Sequence, residues 1–409
     1  MRKINFELLK LQLLYLTVLL LVAMKTFVIN NIEIQVFSST AISILFLLFY
    51  NYKILNKSSV IKVTSDSKII IALIIIYIAF ININALIVEP QKAIFPLVKS
   101  IPIITFIFLI ILFNIKPNLR DKIEVFSFWL LSISMILAFI LFHLGYSNLY
   151  ISINKIVSLV PNDEYVKQFG ETRLQWMSTH KSRFAAFCIF SILFTVRAYI
   201  KNIYKVIIIL ICLINIFYSS SKISLYLVLF SILLLLFFKI ILGKINTYLK
   251  GFFLVMILML GFLGMVLAFH EIEQYMNSTE YITLGDRTYI WKYSIDQIKT
   301  HPEGIITYGI DEFFKVYERN IVLKSAHNIF LDEFLKNGII GGIIFLMILL
   351  TILWKCRTDL TIFVFLCCLY IIGCFDIILE ENMNYIFWYL VALLYTYVIN
   401  EKLNNRRRL

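Results

Sequence analysis

The chain has 409 residues, 61% of them apolar and 15% charged, with a mean hydropathy of +0.87 and a formal net charge of +13. That composition excludes a soluble globular protein, a disordered or collagen-like chain and a disulfide scaffold. A spanning helix needs about 20 mostly apolar residues, and the sequence offers many such runs, so one polytopic membrane domain over 1–409 is expected. The six cysteines, at 188, 212, 356, 367, 368 and 374, lie in apolar runs or a short basic loop and give neither a disulfide framework nor a zinc site.

In chain order the apolar runs fall at about 8–29, 35–52, 69–88, 94–114, 125–144, 184–200, 203–218, 223–242, 251–269, 338–354, 361–379 and 385–400. Twelve transmembrane helices are therefore expected. The first run carries Lys10 and Lys25 and has no small-residue cleavage site after it, which reads as a retained span rather than a signal peptide.

Basic residues set the orientation. With the N-terminus inside, the inner connections hold Lys53, Lys57, Lys62 and Lys68, then Lys116, Arg120 and Lys122, then Arg197, Lys201 and Lys205, then Lys239, Lys244 and Lys250, then Lys355 and Arg357. The tail adds Lys402 and Arg406 to Arg408, whereas the short outer connections hold Lys92 alone. The net charge thus reads as a topology signal with both termini cytoplasmic, and it implies no nucleic-acid partner.

Two connections, about 145–183 and 270–337, are too long to be turns, and both fall outside. They hold more than half of the 25 acidic residues, and all five histidines lie in them or at the adjoining helix ends. A transporter would place ionisable groups near mid-membrane; here they gather at one surface. In the second loop, Asp286 is a candidate N-cap for a helix over Arg287–Thr300, with Trp291, Ile295 and Ile298 on one face and Pro302 and Gly304 ending it. An amphipathic surface helix is the expectation. Asn328–Asn337 reads as a further helix closed by Gly338. The second loop is therefore expected to form a helical cap over the bundle.

The sharpest pattern is His327-Asn328, nine residues, Gly338, two residues, Gly341, preceded by Arg287, Trp291, His301-Pro302, Gly304 and Gly309. It resembles the O-antigen ligase and polymerase superfamily of bacterial polysaccharide assembly. That family's signature is His, then Asn, Ser or Gln, nine residues, Gly, two residues, then Gly, Thr or Tyr. Looser similarity covers Arg173 with Ser178-Thr179-His180-Lys181, and Ser219-Ser220-Ser221-Lys222. In the first the family's Pro and Asn after the histidine are absent, and in the second Lys222 stands where arginine is usual.

The resemblance implies an all-α, GT-C-like membrane glycosyltransferase whose donor is an undecaprenyl-pyrophosphate-linked glycan, working without a metal or other cofactor. It would act at the external face of the cytoplasmic membrane, among membrane lipids and beside a flippase and a chain-length regulator. The leaving pyrophosphate gains negative charge, which guanidinium holds bidentately, so Arg287 and Arg173 are the candidates. The acceptor hydroxyl must lose a proton, for which His327 is the first choice of base and His180 the second. Asn328, Lys181, Lys222 and Trp291 are candidates for substrate contact, with Trp291 better suited to anchoring at the membrane surface than to serving as a sugar platform. Pro302, Gly304, Gly309, Gly338 and Gly341 read as structural motif positions. Asp311-Glu312 and Asp332-Glu333 are adjacent pairs that diverge on a helix, so no metal cluster is readable.

The reading carried forward is a polymerase moving a growing glycan onto the distal sugar of the next lipid-linked repeat unit. A ligase joining glycan to a lipid A core, and a transferase to protein, share the donor chemistry. The contrasting class is a flippase or solute transporter, for which inverted repeats and Gly/Pro-broken spans are expected; six prolines and thirteen glycines leave most spans unbroken.

Overall fold

The computed structural model describes residues 27–29, 32–34, 65–88, 90–92, 94–115, 117–150, 158–163, 166, 172–176, 178, 180–242, 287–305, 314–316, 321–323, 325–376, 378–379 and 381–408. Among these are ten α-helices: α1 (Ser65–Val88), α2 (Ile94–Ile115), α3 (Pro117–His143), α4 (Lys181–Arg197), α5 (Asn202–Tyr218), α6 (Lys222–Leu242), α7 (Arg287–Thr300), α8 (Ile329–Cys356), α9 (Leu360–Phe375) and α10 (Glu381–Arg408). Three two-stranded antiparallel hairpins accompany them: β1 (Phe27–Ile29) with β2 (Ile32–Ile34), β3 (Tyr146–Tyr150) with β4 (Ser158–Pro161), and β5 (Phe314–Val316) with β6 (Ile321–Leu323). The described residues are mostly helical, in agreement with the expected all-α membrane fold, and the two long connections each carry a short hairpin in addition.

All of these helices except α7 coincide with nine of the twelve apolar runs. Of the other three, 35–52 and 251–269 lie outside the described residues, and the first is described only at 27–29, where the chain is strand β1 rather than helix. Among the described residues four helices are long and apolar enough to cross a membrane, at Ser67–Val88, Pro117–His143, Lys222–Ile241 and Ile329–Cys356. Shorter apolar helices occupy Ser100–Asn114, Asn202–Tyr218, Leu360–Phe375 and Ile386–Asn400.

Burial separates central from peripheral helices. From Phe184 to Thr195, α4 is buried on every side, and α10 is likewise enclosed from Ile386 to Thr396; a helix apolar all round belongs in the middle of such a bundle. Helix α10 packs on α2, α8 on α1, α4 between α3 and α5, and α9 on α6. Edge-to-face contacts of Trp388 with Phe106 (5.3 Å between centroids) and Phe387 (5.4 Å) fix the centre. In contrast α5 and α6 present Ile203, Val206, Leu210, Phe217, Phe230 and Leu236 outward, apolar side chains suited to lipid.

Antiparallel packing gathers the N-termini of α4 and α8 with the C-termini of α3 and α9 at one end of the bundle. At that end α7 lies on α8. Helix α8 kinks at Gly338, whose φ of 71° and ψ of 178° break the helix between an initial segment and the long apolar one. The turn after α7 docks into this kink. The Ile339 N–H donates to the Pro302 carbonyl (2.9 Å) and the Ile305 N–H to the Leu335 carbonyl (2.8 Å). A Cβ on Gly304 would meet the Gly338 nitrogen at 2.5 Å, and one on Gly338 would meet the Glu303 carbonyl oxygen at 2.5 Å. Only glycine permits this approach, and both positions also have positive φ.

Candidate functional site

The start of α8 is built by its own sequence. Asn328 is the N-cap: its side-chain oxygen accepts from the amides of Phe330 (2.9 Å) and Leu331 (3.1 Å). Directly before it, His327 adopts φ 49°, a left-handed conformation that persists in non-glycine residues only where the surroundings hold it. The preceding Ala326 is gripped from two sides. Its N–H donates to Asp332 Oδ1 (2.6 Å), and its carbonyl accepts from Trp291 Nε1 of α7 (3.0 Å).

Asp376, immediately after α9, is the centre of the site. It is buried, and its carboxylate accepts from the Ser182 hydroxyl of α4. His327 Nδ1 lies 3.5 Å from Asp376 Oδ1, His180 Nδ1 lies 3.7 Å from the same oxygen, and an Arg287 Nη lies 3.6 Å from Oδ2. Arg287 also donates from Nε to the Phe375 carbonyl (2.8 Å), so the end of α9 orients the guanidinium. The imidazole rings of His180 and His327 are 6.3 Å apart. Three segments distant in sequence, at 180–182, 287 and 327, thus converge on the carboxylate of Asp376.

The two histidines are held in different ways. His180 caps α4: its Nδ1 accepts from the Ser182 amide (3.3 Å), which requires that nitrogen to be unprotonated and places the ring hydrogen on Nε2. Burial pushes the His180 imidazole below its ordinary pKa, and Arg183, His327 and Lys181 push the same way against the opposing pull of Asp376. A neutral donor results. His327 carries no such capping bond on Nδ1; a hydrogen there directed at Asp376 leaves the Nε2 lone pair as an acceptor.

Arg173 and Lys222 occupy a neighbouring corner. The Leu174 N–H donates to the Tyr218 carbonyl at the end of α5 (2.9 Å), setting Arg173 beside the Ser219–Ser221 turn that leads into Lys222, the first residue of α6. Arg173 is half-buried and Lys222 exposed. Lys181 and buried Arg183 begin α4 next to His180. His301 faces Glu303 at 3.3 Å on the exposed turn after α7.

Several sequence expectations change in detail. The side-chain oxygen of Asn328, expected to touch substrate, serves the helix cap. The indole N–H of Trp291, expected at a sugar or the membrane surface, holds the Ala326 carbonyl, and its ring meets Phe375 at 6.0 Å. The face of α7 that packs inward runs through Ile290 and Ser294, both buried, whereas Ile295 is 43% exposed, so the expected Trp291–Ile295–Ile298 stripe is not the packed one. A Cβ on Gly341 would meet the Asn337 Cβ of its own helix at 2.6 Å and the Phe80 ring of α1 at 3.4 Å. Gly309 and Asp286 lie outside the described residues. Asp332 and Glu333 diverge as expected: Asp332 pairs with Lys336 (3.6 Å), and Glu333 accepts from Tyr77 (2.7 Å). Among the described residues no three His, Cys, Asp or Glu side chains form a group able to hold a metal ion.

Sequence reasoning missed Asp376, Ser182 and Arg183. A single Asp closing an apolar run was the available signal, since a carboxylate at the end of a span needs a partner.

The family model described as O-antigen ligase matches residues 207–346, which bears out the superfamily resemblance. The matched segment runs from α5 past the kink of α8 and includes Lys222, Arg287, Trp291, Pro302, Gly304, Gly309, His327, Asn328, Gly338 and Gly341; His180 and Asp376 lie on either side of it. No curated protein matches the chain.

Proposed function

We propose, with the O-antigen ligase match as premise, that this membrane protein is a polysaccharide polymerase, moving a glycan from undecaprenyl pyrophosphate to the distal sugar of a lipid-linked repeat unit. The observation that carries the reading is the meeting of His180, Arg287 and His327 on Asp376. The basic-loop bias of the sequence assigns this end of the bundle to the external face of the cytoplasmic membrane, with both termini inside.

In this reading His327 Nε2 takes the proton of the acceptor hydroxyl as its oxygen attacks the anomeric carbon. Asp376, beside Nδ1, stabilises the imidazolium that forms. The anomeric carbon–oxygen bond breaks, and its electron pair leaves with the pyrophosphate. Arg287, turned by Phe375 and Asp376, meets the charge gathering on that leaving group, with Arg173 and Lys222 disposed along the lipid-linked phosphates. Neutral His180 donates from Nε2 to a sugar or phosphate oxygen.

The test is reconstitution of purified protein with a synthetic undecaprenyl-pyrophosphate repeat unit as both donor and acceptor. Polymerisation gives a ladder of lipid-linked products. Transfer only when lipid A core is supplied would make the protein a ligase, and absence of transfer to either acceptor would remove the enzymatic reading.

A further inference from the structure

The catalytic reading places the reacting imidazole on a residue that precedes a helix and has left-handed backbone, an arrangement with no rigidity of its own. Its neighbour Ala326 has both peptide groups fixed by side chains from two different helices. The amide is held by Asp332 of α8 at 2.6 Å and the carbonyl by the indole of Trp291 of α7 at 3.0 Å. Asp332 is itself buried and paired with buried Lys336 one turn on, at 3.6 Å. On the other side of His327, the Asn328 cap ties the chain to α8.

We infer that Asp332 and Trp291 are positioning residues: together they clamp the Ala326 peptide and so fix the direction in which His327 leaves the backbone. The reach of the imidazole toward Asp376 depends on that direction. Lys336 stands 3.6 Å from the other oxygen of Asp332 as its counter-ion, and a carboxylate is a stronger acceptor for the Ala326 amide than a neutral amide oxygen would be. The proposal rests on the assignment of His327 as base. It explains why α7, which contributes Arg287 to the site, also carries a tryptophan one turn later: one helix sets both the leaving-group arginine and the base, so displacement of α7 disturbs both.

Trp291→Phe keeps an aromatic ring beside Phe375 but removes the indole N–H together with part of the ring, while Asp332→Asn keeps an acceptor for Ala326 and removes the charge. The expected result is a fall in kcat of about 10-fold for Trp291→Phe, about 3-fold for Asp332→Asn and about 50-fold for Asp332→Ala, with KM for the lipid-linked donor near wild type. The acid limb of the pH–rate profile should move in Asp332→Ala, because the imidazole loses its place beside Asp376. In the decisive comparison these substitutions are made in a His327→Ala background, where they should cost nothing further. If His327→Ala itself transfers glycan normally, the assignment of the base fails. If His327→Ala is inactive but Trp291→Phe and Asp332→Ala keep wild-type kcat and pH profile, or lower residual activity equally with and without His327, the clamp is refuted and the base stands.

Discussion

At the end of the bundle opposite the site, Arg197 of α4 reaches Glu124 at 3.0 Å and Asp359 at 2.7 Å, and lies 3.9 Å over the ring of Tyr397. Asp359 also caps α9 by accepting from the Ile362 amide (3.1 Å). At the site end of the same two helices, Asp376 faces His180, His327 and Arg287 at 3.5 to 3.7 Å. One end has a cation enclosed by acids and an aromatic ring at short range; the other has an acid ringed by basic groups at longer range. Short, complete pairing locks helices together, as expected of ions whose desolvation must be offset. The looser ring, with one guanidinium and two imidazoles around a carboxylate, suits a site in which charge develops during the reaction: Arg287 meets the anionic leaving group and His327 becomes cationic as it takes the proton.

Substitution at each end should separate these roles, and the largest effect is expected at the base. His327→Ala should lower transfer by about 10³-fold, in the range for loss of general acid–base catalysis, while membrane abundance and thermal unfolding stay near wild type. Pulse-labelled polymer and quantitative immunoblotting measure the two, and long chains made at normal protein levels would remove His327 from the chemistry.

Arg197→Ala tests the other end. Leaving Glu124 and Asp359 without their shared cation should destabilise the protein by roughly 3 kcal/mol, read as loss of folded protein in detergent, with the surviving fraction keeping its specific activity within about 2-fold. A large loss of specific activity at unchanged stability would erase the distinction between the two ends.

The smallest effect concerns protonation at the α4 cap. Because the His180 pKa is depressed by burial and nearby cations, the unfolded chain takes up more protons here than the folded one as pH falls from about 6.5 through the lowered value. Stability from this residue is therefore present above that window and lost within it. His180→Asn keeps a capping oxygen without a titrating group, so its Tm should change less than that of wild type between about pH 7.5 and about pH 5.5. Equal changes in both proteins would separate the cap from the titration.

What the sequence could reveal followed the range of the interactions. Helix α7 was legible because Arg287–Thr300 ends at His301-Pro302, and the break at Gly338 because glycine marks a helix end; both are local signals. The packed face of α7 was not, since burial of Ser294 in preference to Ile295 depends on the shape of α8. The Asn328 cap had a visible signal, an Asn before an apolar run, which the motif reading assigned to substrate. Asp376 stands about 50 residues beyond His327 in the chain and nearly 200 beyond His180. No spacing rule connects three such positions, and only the antiparallel packing of α4, α8 and α9 brings them together.

The central claim, that side chains gathered on Asp376 stabilise a departing pyrophosphate, is tested most directly by single-turnover transfer from a synthetic lipid-linked repeat unit, comparing wild type with Arg287→Lys in the presence of EDTA. Lysine keeps the charge but cannot reproduce the guanidinium fork held by Phe375 and Asp376. The account predicts full wild-type transfer in EDTA and a loss of about 100-fold for Arg287→Lys that added Mg²⁺ does not restore. A wild-type rate for Arg287→Lys, or transfer abolished by EDTA and recovered with Mg²⁺, would contradict it and assign the leaving-group charge to a metal ion.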